Sequence, residues 1–287
     1  MNSPKEIAQN YIATGVAKTK YPIEKMLALG LLAGMFIALA AVGSIIAPAT
    51  MLTASTAKLL GAAVFPVGLA MVLISGSELF TGNNLIIISV LTKEATVGAM
   101  LKNWLFVYIG NFIGSILVAA LTVYGGTFSL FSNAASALLI KTAVAKVTLS
   151  FSDAMMRGIL CNFLVCVAVW MSFAAKDIAG KVAALFLPIM LFVLCGFEHS
   201  VANMYYITAG LFASKNAAYI AAYTAGAGST QIDSLTWGAL FTKNLIPVTI
   251  GNIIGGAILV GAIYWFIYLL DTDKKAPAAA GGKKKKK

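Results

Sequence analysis

The chain of 287 residues is too apolar for a soluble domain, because 60% of its residues are hydrophobic and only 11% are charged. Its mean hydropathy of +0.90 places it among integral membrane proteins, in which one spanning helix takes about 20 apolar residues. The formal net charge of +11 at pH 7 is compatible with membrane topology and requires no nucleic-acid partner.

The first predicted element is a short amphipathic helix in residues 1–25. Ser3 can cap this helix, Pro4 suits its first turn and Glu6 completes a capping box. Four apolar side chains lie on one face of it: Ile7, Ala8, Tyr11 and Ile12. We therefore expect the helix on the inner membrane surface. No removable signal peptide is expected, because the first apolar run is long enough to span and has no small-residue cleavage site behind it.

Six membrane-spanning helices are predicted after this segment. They are the long apolar runs at 26–47, 58–92, 103–124, 154–175, 182–213 and 245–270. With the N-terminus inside, ten lysines lie on inner segments against six lysine and arginine residues on outer ones. This bias predicts a multi-pass protein of the plasma (inner) membrane with both termini in the cytoplasm. The last residues, which end in GGKKKKK, are predicted to form a disordered basic tail.

The two halves of the sequence are weakly but regularly similar. KNWLFVYIGNFIGS at 102–115 matches KNLIPVTIGNIIGG at 243–256, and GSELFTGNN at 76–84 matches GFEHSVANM at 196–204. Three spans in each half force the second copy to enter the membrane from the opposite side, which makes an inverted repeat. The predicted domains are the N-terminal helix, the first repeat, an outer connecting segment, the second repeat and the tail: 1–25, 26–124, 125–153, 154–270 and 271–287.

The second predicted span is too long for one straight helix. Its 35 residues would extend about 50 Å, against a hydrocarbon core of about 30 Å. Its middle, SGSELFTGNN, contains glycines, hydroxyls and amides that disfavour a continuous helix, and the fifth span has an equivalent break at 196–203. Broken backbone at membrane depth must be satisfied by protein or by a water-filled cavity. We therefore predict that helices two and five are broken at the midplane, where half-helix N-termini favour anions.

Polar residues at these breaks are the main candidates for function. His199 is the only histidine, and ionisable groups within membrane spans are by default functional, whereas in a soluble protein a lone histidine is usually structural. The residues predicted to have a structural polar role at the breaks are Glu78, Glu198, Asn83 and Asn203. The glutamates are expected to hold loose backbone N–H groups and to face away from an anion path, because bare carboxylates would repel an anion. Asn111 and Asn252 lie between glycines, which predicts close helix packing, and Asn252 is also a candidate to orient His199.

Four segments together resemble the formate/nitrite transporter family, whose members include formate, nitrite and hydrosulfide channels. They are SGSELFTGNN, LCNFLVCVAVWMS at 160–172, GFEHSVANM and KNLIPVTIGNIIGG, and they occur in the family's order in both halves. The resemblance implies an aquaporin-like, all-α protomer assembled as a homopentamer. Each subunit would then contain its own pore for small monovalent anions.

The resemblance also implies roles for individual residues. The pore and substrate-binding residues that it implies are His199, Thr81, Asn162, Asn252, Lys146 and Lys18. The apolar constriction residues that it implies are Leu69, Leu79, Phe192, Phe65 and Phe80. Simpler interpretations exist for two of them: Thr81 could merely cap the half-helix that follows, and Lys146 could be an ordinary solvated lysine. The spacing around Lys18 lacks one residue of the family pattern.

These features predict a channel or transporter for weak-acid anions, either passive or coupled to protons. Formate, nitrite and hydrosulfide are conjugate bases of weak acids, so lysine-rich mouths could concentrate the anion while His199 donates a hydrogen bond or a proton to it. We expect no enzymatic activity, no cofactor and no metal. A single histidine excludes a bis-histidine haem site within this chain. The alternative is an aquaporin-like channel for water or small neutral solutes, although the breaks contain no Asn-Pro-Ala tripeptide.

Overall fold

The computed structural model describes residues 1–227 and 231–270, so the predicted basic tail lies outside the described residues. The described residues are 82% helical, and no strand occurs among them. The α-helices are α1 (Pro4–Thr19), α2 (Ile23–Ile46), α3 (Ala54–Val64), α4 (Val67–Ser75), α5 (Phe80–Asn83), α6 (Ile87–Leu91), α7 (Val97–Tyr124), α8 (Ala134–Val147), α9 (Phe151–Ala174), α10 (Ile178–Leu194), α11 (Ser200–Ala213), α12 (Ala217–Ala227), α13 (Trp237–Ala239), α14 (Ile246–Ile253) and α15 (Ile263–Tyr268). Short 3₁₀ segments lie at Asn84–Ile86, Thr127–Ser129 and Ile232–Ser234, and π-helical segments at Leu240–Leu245 and Ile254–Ala262.

Several of these helices are long and apolar enough to cross a membrane. Within the described ranges there are five: Ile23–Ile46, Ala54–Ser75, Val97–Tyr124, Phe151–Ala174 and Trp237–Tyr268. Two shorter apolar helices, Phe80–Leu91 and Ile178–Leu194, accompany them. The prediction of an all-helical, multi-pass membrane protein is therefore confirmed.

The N-terminal helix α1 begins as predicted. Ser3 N–H donates to Glu6 Oε2 at 2.6 Å and Glu6 N–H donates to Ser3 Oγ at 3.4 Å, which forms the capping box. The hydrogen bond from Ser3 N–H lowers the pKa of the Glu6 carboxyl, and the Ser3 side chain lowers this pKa further. The apolar face of α1 packs on the protein itself, because the Tyr11 hydroxyl donates to the Gly82 carbonyl at 3.3 Å and its ring lies 5.3 Å from that of Phe173. The helix therefore covers the first break from one side.

Glycines allow the long helices of each half to touch. In the first half, a methyl group on Gly30 would lie 3.2 Å from the Cα of Gly110, and in the second half one on Gly158 would lie 3.3 Å from the Cα of Gly251. These distances leave no room for a side chain, so α2 packs on α7 and α9 packs on α14 at backbone contact. Close packing of this kind is typical of membrane helices, where small residues replace the hydrophobic driving force.

Two glycines of α7 give a matched test of this packing. A methyl group on Gly114 would collide with the Leu31 carbonyl and with Met35 N at 2.9 Å, whereas one on Gly98 would meet nothing within 4 Å. We expect Gly114→Ala to lower the stability of the detergent-solubilised protein by about 1–3 kcal/mol, because the helices must separate. Gly98→Ala should be neutral or stabilise it by about 0.5–1 kcal/mol. Thermal unfolding of the two variants measures the difference, and equal midpoints would contradict it.

Two features differ from the sequence prediction. The connecting segment 125–153, for which no helix was predicted, contains α8, whose 14 residues are too few to cross a membrane and of which one face is buried. Cys195 falls within the predicted fifth span at 182–213, but it is exposed in the turn that ends α10. Cys161 and Cys166, by contrast, are buried in α9.

Candidate functional site

Both predicted breaks are present in the structure. Residues 76–79 separate α4 from α5, and residues 195–199 separate α10 from α11. Gly76 and Gly196 adopt φ values of 79° and 69°, in the left-handed region where glycine carries no Cβ penalty. Each glycine ends the preceding helix, so the two breaks begin with the same local geometry.

Asn111, on α7, holds the first break in place. Its Oδ1 accepts a hydrogen bond from Phe80 N–H at 3.0 Å, and its Nδ2 donates to the carbonyls of Gly30 at 2.8 Å and Glu78 at 2.9 Å. The side chain is fully buried. One amide therefore satisfies two backbone groups at the break, Phe80 N–H and the Glu78 carbonyl, and ties them to a carbonyl of α2.

Asn252, on α14, does the same at the second break. Its Oδ1 accepts from Ser200 N–H at 3.0 Å, and its Nδ2 donates to the carbonyls of Gly158 at 2.8 Å and Glu198 at 3.0 Å. It was predicted to orient His199, and its direct contacts are with the backbone on both sides of that residue. Any orienting effect on the imidazole is therefore exerted through the backbone.

The carboxylate of the first break is paired with a lysine of α1. Lys18 Nζ lies 2.7 Å from Glu78 Oε1 and 3.0 Å from Asn83 Oδ1. Asn83 Nδ2 donates to Glu78 Oε2 at 2.7 Å and to Asn103 Oδ1 at 2.8 Å, and Asn103 Nδ2 donates to the Lys18 carbonyl at 3.1 Å. These four side chains form a closed polar network beneath the break.

The second break repeats this network with a lysine of α8. Lys146 Nζ lies 3.1 Å from both carboxylate oxygens of Glu198. Asn203 Nδ2 donates to Glu198 Oε2 at 2.6 Å and to Asn244 Oδ1 at 2.8 Å, and Asn244 Nδ2 donates to the Lys146 carbonyl at 2.9 Å. In both halves the glutamates therefore bind lysine and asparagine side chains. The backbone N–H groups that the glutamates were expected to bind instead donate hydrogen bonds to the asparagines of α7 and α14.

His199 and Thr81 bring the two breaks together. His199 is the N-cap of α11, where its Nδ1 accepts a hydrogen bond from Ala202 N–H at 3.1 Å, and its Nε2 lies 2.8 Å from Thr81 Oγ1. Because Nδ1 is an acceptor, the neutral imidazole carries its proton on Nε2 and donates to Thr81. The Thr81 hydroxyl thus keeps its own proton for another acceptor. The equivalent position in the first half is Leu79, which makes no side-chain cap.

Asn162 joins the two halves beside this pair. Its Nδ2 lies within hydrogen-bond distance of the Thr81 carbonyl at 3.2 Å, Asn84 Oδ1 at 2.9 Å and the Asn252 carbonyl at 2.7 Å. Two protons shared among three acceptors fix this fully buried amide firmly. Asn162 therefore positions the backbone that carries Thr81.

Two cavities reach the breaks. The first has a volume of about 440 Å³, with Lys18 and Glu78 in its wall, and the second has a volume of about 100 Å³, with Lys146, Glu198 and His199 in its wall. The predicted constriction residues that line them are all buried: Leu69 and Leu79 in the first cavity, and Phe65 and Phe192 in the second. Buried apolar side chains therefore form part of the wall of each cavity.

The structure separates Phe80 from the other four predicted constriction residues. Its ring lies 6.0 Å from that of Trp104 and 4.9 Å from that of Tyr108, in edge-to-face contacts. These three residues line an outward-facing apolar groove. The neighbouring Leu79 and Thr81 face the first cavity and His199, so the intervening side chain points the other way.

Sequence reasoning missed three polar residues of the site: Asn84, Asn103 and Asn244. The last two could have been found, since both follow a lysine in the matching KN dipeptides of the repeat. No cluster of three or more metal-ligating side chains occurs in residues 1–227 and 231–270.

Comparisons with known proteins agree with the motifs. The formate/nitrite transporter family model matches residues 5–266. A probable formate transporter of Methanothermobacter thermautotrophicus is 38% identical over 285 residues, covering 93% of this chain and 97% of the relative. Formate channel FocA of Escherichia coli (strain K12) is 38% identical over 273 residues, covering 94% and 95%. A solved pentameric formate channel with formate bound has 34% identity and a TM-score of 0.76, covering 86% of this chain and 98% of that one. The chain therefore belongs to the formate/nitrite transporter family, as its motifs predicted.

Proposed function

We propose that this protein is a membrane channel for formate and similar small monovalent anions, with one path through each protomer of a homopentamer. The observation that carries the proposal is the hydrogen-bonded pair of Thr81 and His199, which joins the two helix breaks. Relatives that cover nearly the whole chain are named formate channel or formate transporter, and the similar solved structure is a pentameric formate channel with formate bound.

The architecture that we propose is six spans in two inverted repeats, with the breaks at the membrane midplane. The matching networks support it, because each half has a Lys-Glu pair, a close glycine contact and an asparagine that binds the backbone of its break at corresponding positions. We call these asparagines, Asn111 and Asn252, the asparagine clamps. The networks also support a larger repeat than three spans, because α1 and α8 each supply the lysine of their own half. The lysine bias of the sequence supports an inner membrane protein with α1 on the cytoplasmic side.

The mechanism that we propose uses His199 as a neutral hydrogen-bond donor. Its Nε2–H polarises the Thr81 hydroxyl, whose free proton then meets an oxygen of the anion. A second proton on the imidazole would have to occupy Nδ1, where Ala202 N–H already donates, and would place positive charge at the N-terminus of α11. The geometry therefore supports donation of a hydrogen bond over donation of a proton. The anion then crosses the apolar residues with part of its charge offset.

Reconstitution into liposomes tests the function directly. We expect formate influx down a concentration gradient well above that of protein-free liposomes, and no increase in the rate of osmotic shrinkage followed by light scattering. A panel with nitrite, hydrosulfide, acetate and lactate would rank the substrates. Faster water flux without anion flux would contradict the proposal and favour an aquaporin-like channel for neutral solutes.

Two buried threonines provide a matched test of the proposed donor. Thr81 bonds to His199, whereas the hydroxyl of Thr208 on α11 has no hydrogen-bond partner within the described structure, and both side chains are fully buried. We expect Thr81→Val to lower formate flux by about 10-fold or more, because a preorganised donor is lost, and Thr81→Ser to retain it. Thr208→Val should leave flux unchanged. Equal flux in the two valine variants would count against the role of Thr81.

A further inference from the structure

Each cavity has two lysines in its wall, and only one of the two is ion-paired. In the first cavity Lys18 is paired with Glu78, while the ammonium group of Lys181 makes no hydrogen bond or ion pair with any residue that the structure describes. In the second cavity Lys146 is paired with Glu198, while the ammonium group of Lys58 likewise makes none within 1–227 and 231–270. The same pattern of one compensated and one uncompensated ammonium group thus occurs at both mouths.

This pattern determines which charge an approaching anion meets. A lysine whose ammonium lies 2.7 Å or 3.1 Å from a carboxylate presents a dipole rather than a full charge. The paired residues therefore cancel, and the net positive charge of the first wall is that of Lys181. The net charge of the second wall is that of Lys58, with His199 neutral.

A third cavity, beside Lys58, supports a role for this lysine in attracting anions. Lys58 also lines this adjoining cavity of about 430 Å³ together with Lys141, and none of the described carboxylates lies in that wall. Charges in a concave, low-dielectric wall focus the field and raise the local concentration of the opposite ion. An anion that enters by this route meets unpaired ammonium groups before it reaches Lys146.

The two unpaired lysines also hold comparable places in the fold. Lys58 lies in α3 and Lys181 in α10, which are the first parts of the two broken helices. Each precedes the glycine of its break by 15 to 18 residues, or about 22–27 Å along a helix. Lys58 lines the second cavity while the glycine that ends its helix, Gly76, lines the first, and Lys181 and Gly196 show the reverse arrangement. Each unpaired lysine therefore lies at the opposite end of its broken helix from the break.

We propose that Lys58 and Lys181, rather than the ion-paired Lys146 and Lys18, draw the anion into the two mouths. This inference rests on the proposed function as an anion channel and adds the residues that control entry. The paired lysines then fix the breaks, and the unpaired lysines set the local anion concentration.

Charge-neutralising variants test the inference in liposomes. At low ionic strength and low formate concentration, Lys58→Gln and Lys181→Gln are each expected to reduce flux by about 3- to 10-fold. At about 0.5–1 M salt this loss of flux should be less than twofold, because the Debye length then falls to a few ångströms. The concentration for half-saturation should rise while the saturated rate changes little. Lys58→Arg and Lys181→Arg should behave like the wild type.

Exposed lysines outside the cavities serve as controls. Lys102 on α7 and Lys215 after α11 line neither cavity, so Lys102→Gln and Lys215→Gln should leave flux unchanged. Absence of formate flux in the wild type would overturn the proposed function. A conducting wild type in which Lys58→Gln and Lys181→Gln match these controls would overturn the present inference alone.

Chemical restoration of the charge gives a second measurement that does not depend on folding of the glutamine variant. The exposed Cys195 is first removed by Cys195→Ser, and Lys58→Cys is then labelled in that background. An aminoethyl methanethiosulfonate reagent, which adds an ammonium group, is expected to restore flux to near the wild-type value. A sulfonatoethyl reagent, which adds a negative charge, should lower flux further. Equal effects of the two reagents would overturn the role of charge.

Discussion

Replacing His199 with alanine or phenylalanine is expected to lower formate flux at neutral pH by about 100-fold. Losses of this size are typical when a preorganised hydrogen-bond donor to a negative charge is removed. Both variants lose the Nε2–H that polarises Thr81. The loss should be smaller at acidic pH, where more of the substrate arrives as its neutral conjugate acid and needs no donor. Liposome flux measured at several pH values gives the loss at neutral pH and the smaller loss at acidic pH.

His199→Asn separates the two bonds of the imidazole. Asparagine is a good N-cap residue, so it can accept from Ala202 N–H in place of Nδ1. Its shorter side chain leaves Thr81 without the Nε2 donor. We expect this variant to keep the stability and oligomeric state of the wild type while its flux remains as low as that of His199→Ala. Wild-type flux and pH dependence in all three His199 variants would reject the proposed mechanism.

Glu198→Gln is expected to destabilise the protein by about 3–5 kcal/mol, because the nearly buried ammonium group of Lys146 then has no countercharge. Side-chain exposures of 13% for Lys146 and 6% for Glu198 show how little water can compensate. The carboxylate also holds Asn203 and Asn244, so their network is weakened as well. Thermal unfolding of the detergent-solubilised protein measures the loss as a lower midpoint.

A double variant controls for this interpretation. Lys146→Met together with Glu198→Gln removes both charges and should recover most of the lost stability, since replacing a buried pair by uncharged residues is often close to neutral. Glu78→Gln with Lys18→Met should behave in the same way in the other half. If the double variants are as unstable as the single ones, the ion pairs do not explain the destabilisation.

The sequence predicted the location of the breaks because their cause is local. Gly76 and Gly196 end helices through their own backbone conformation, and the apolar runs around them exceed the thickness of a membrane. His199 and Glu198 were identified by their chemistry, since ionisable groups are rare in an apolar stretch. Composition and spacing are sufficient for conclusions of this kind.

The partners of these residues could not be predicted without the fold. Thr81 and His199 are 118 positions apart, and Lys146 and Glu198 are 52 apart, so only the packing of the helices decides that they meet. The same holds for Phe80, whose direction depends on the turn taken by a short extended segment. A family resemblance can identify residues of a pore, but only the structure shows which lysines are ion-paired and which are not.

The asparagine clamps have a consequence for how the polypeptide could be divided. Asn111 bonds only to groups of the N-terminal half and Asn252 clamps its break with groups of the C-terminal half, so each half completes its own interruption. The loop at residues 125–133, which links the two halves, makes none of these hydrogen bonds. We expect two separately translated pieces cut in that loop to form their own breaks, and contacts between the halves, such as those of Thr81 with His199 and of Asn84 with Asn162, to bring them together as one protomer.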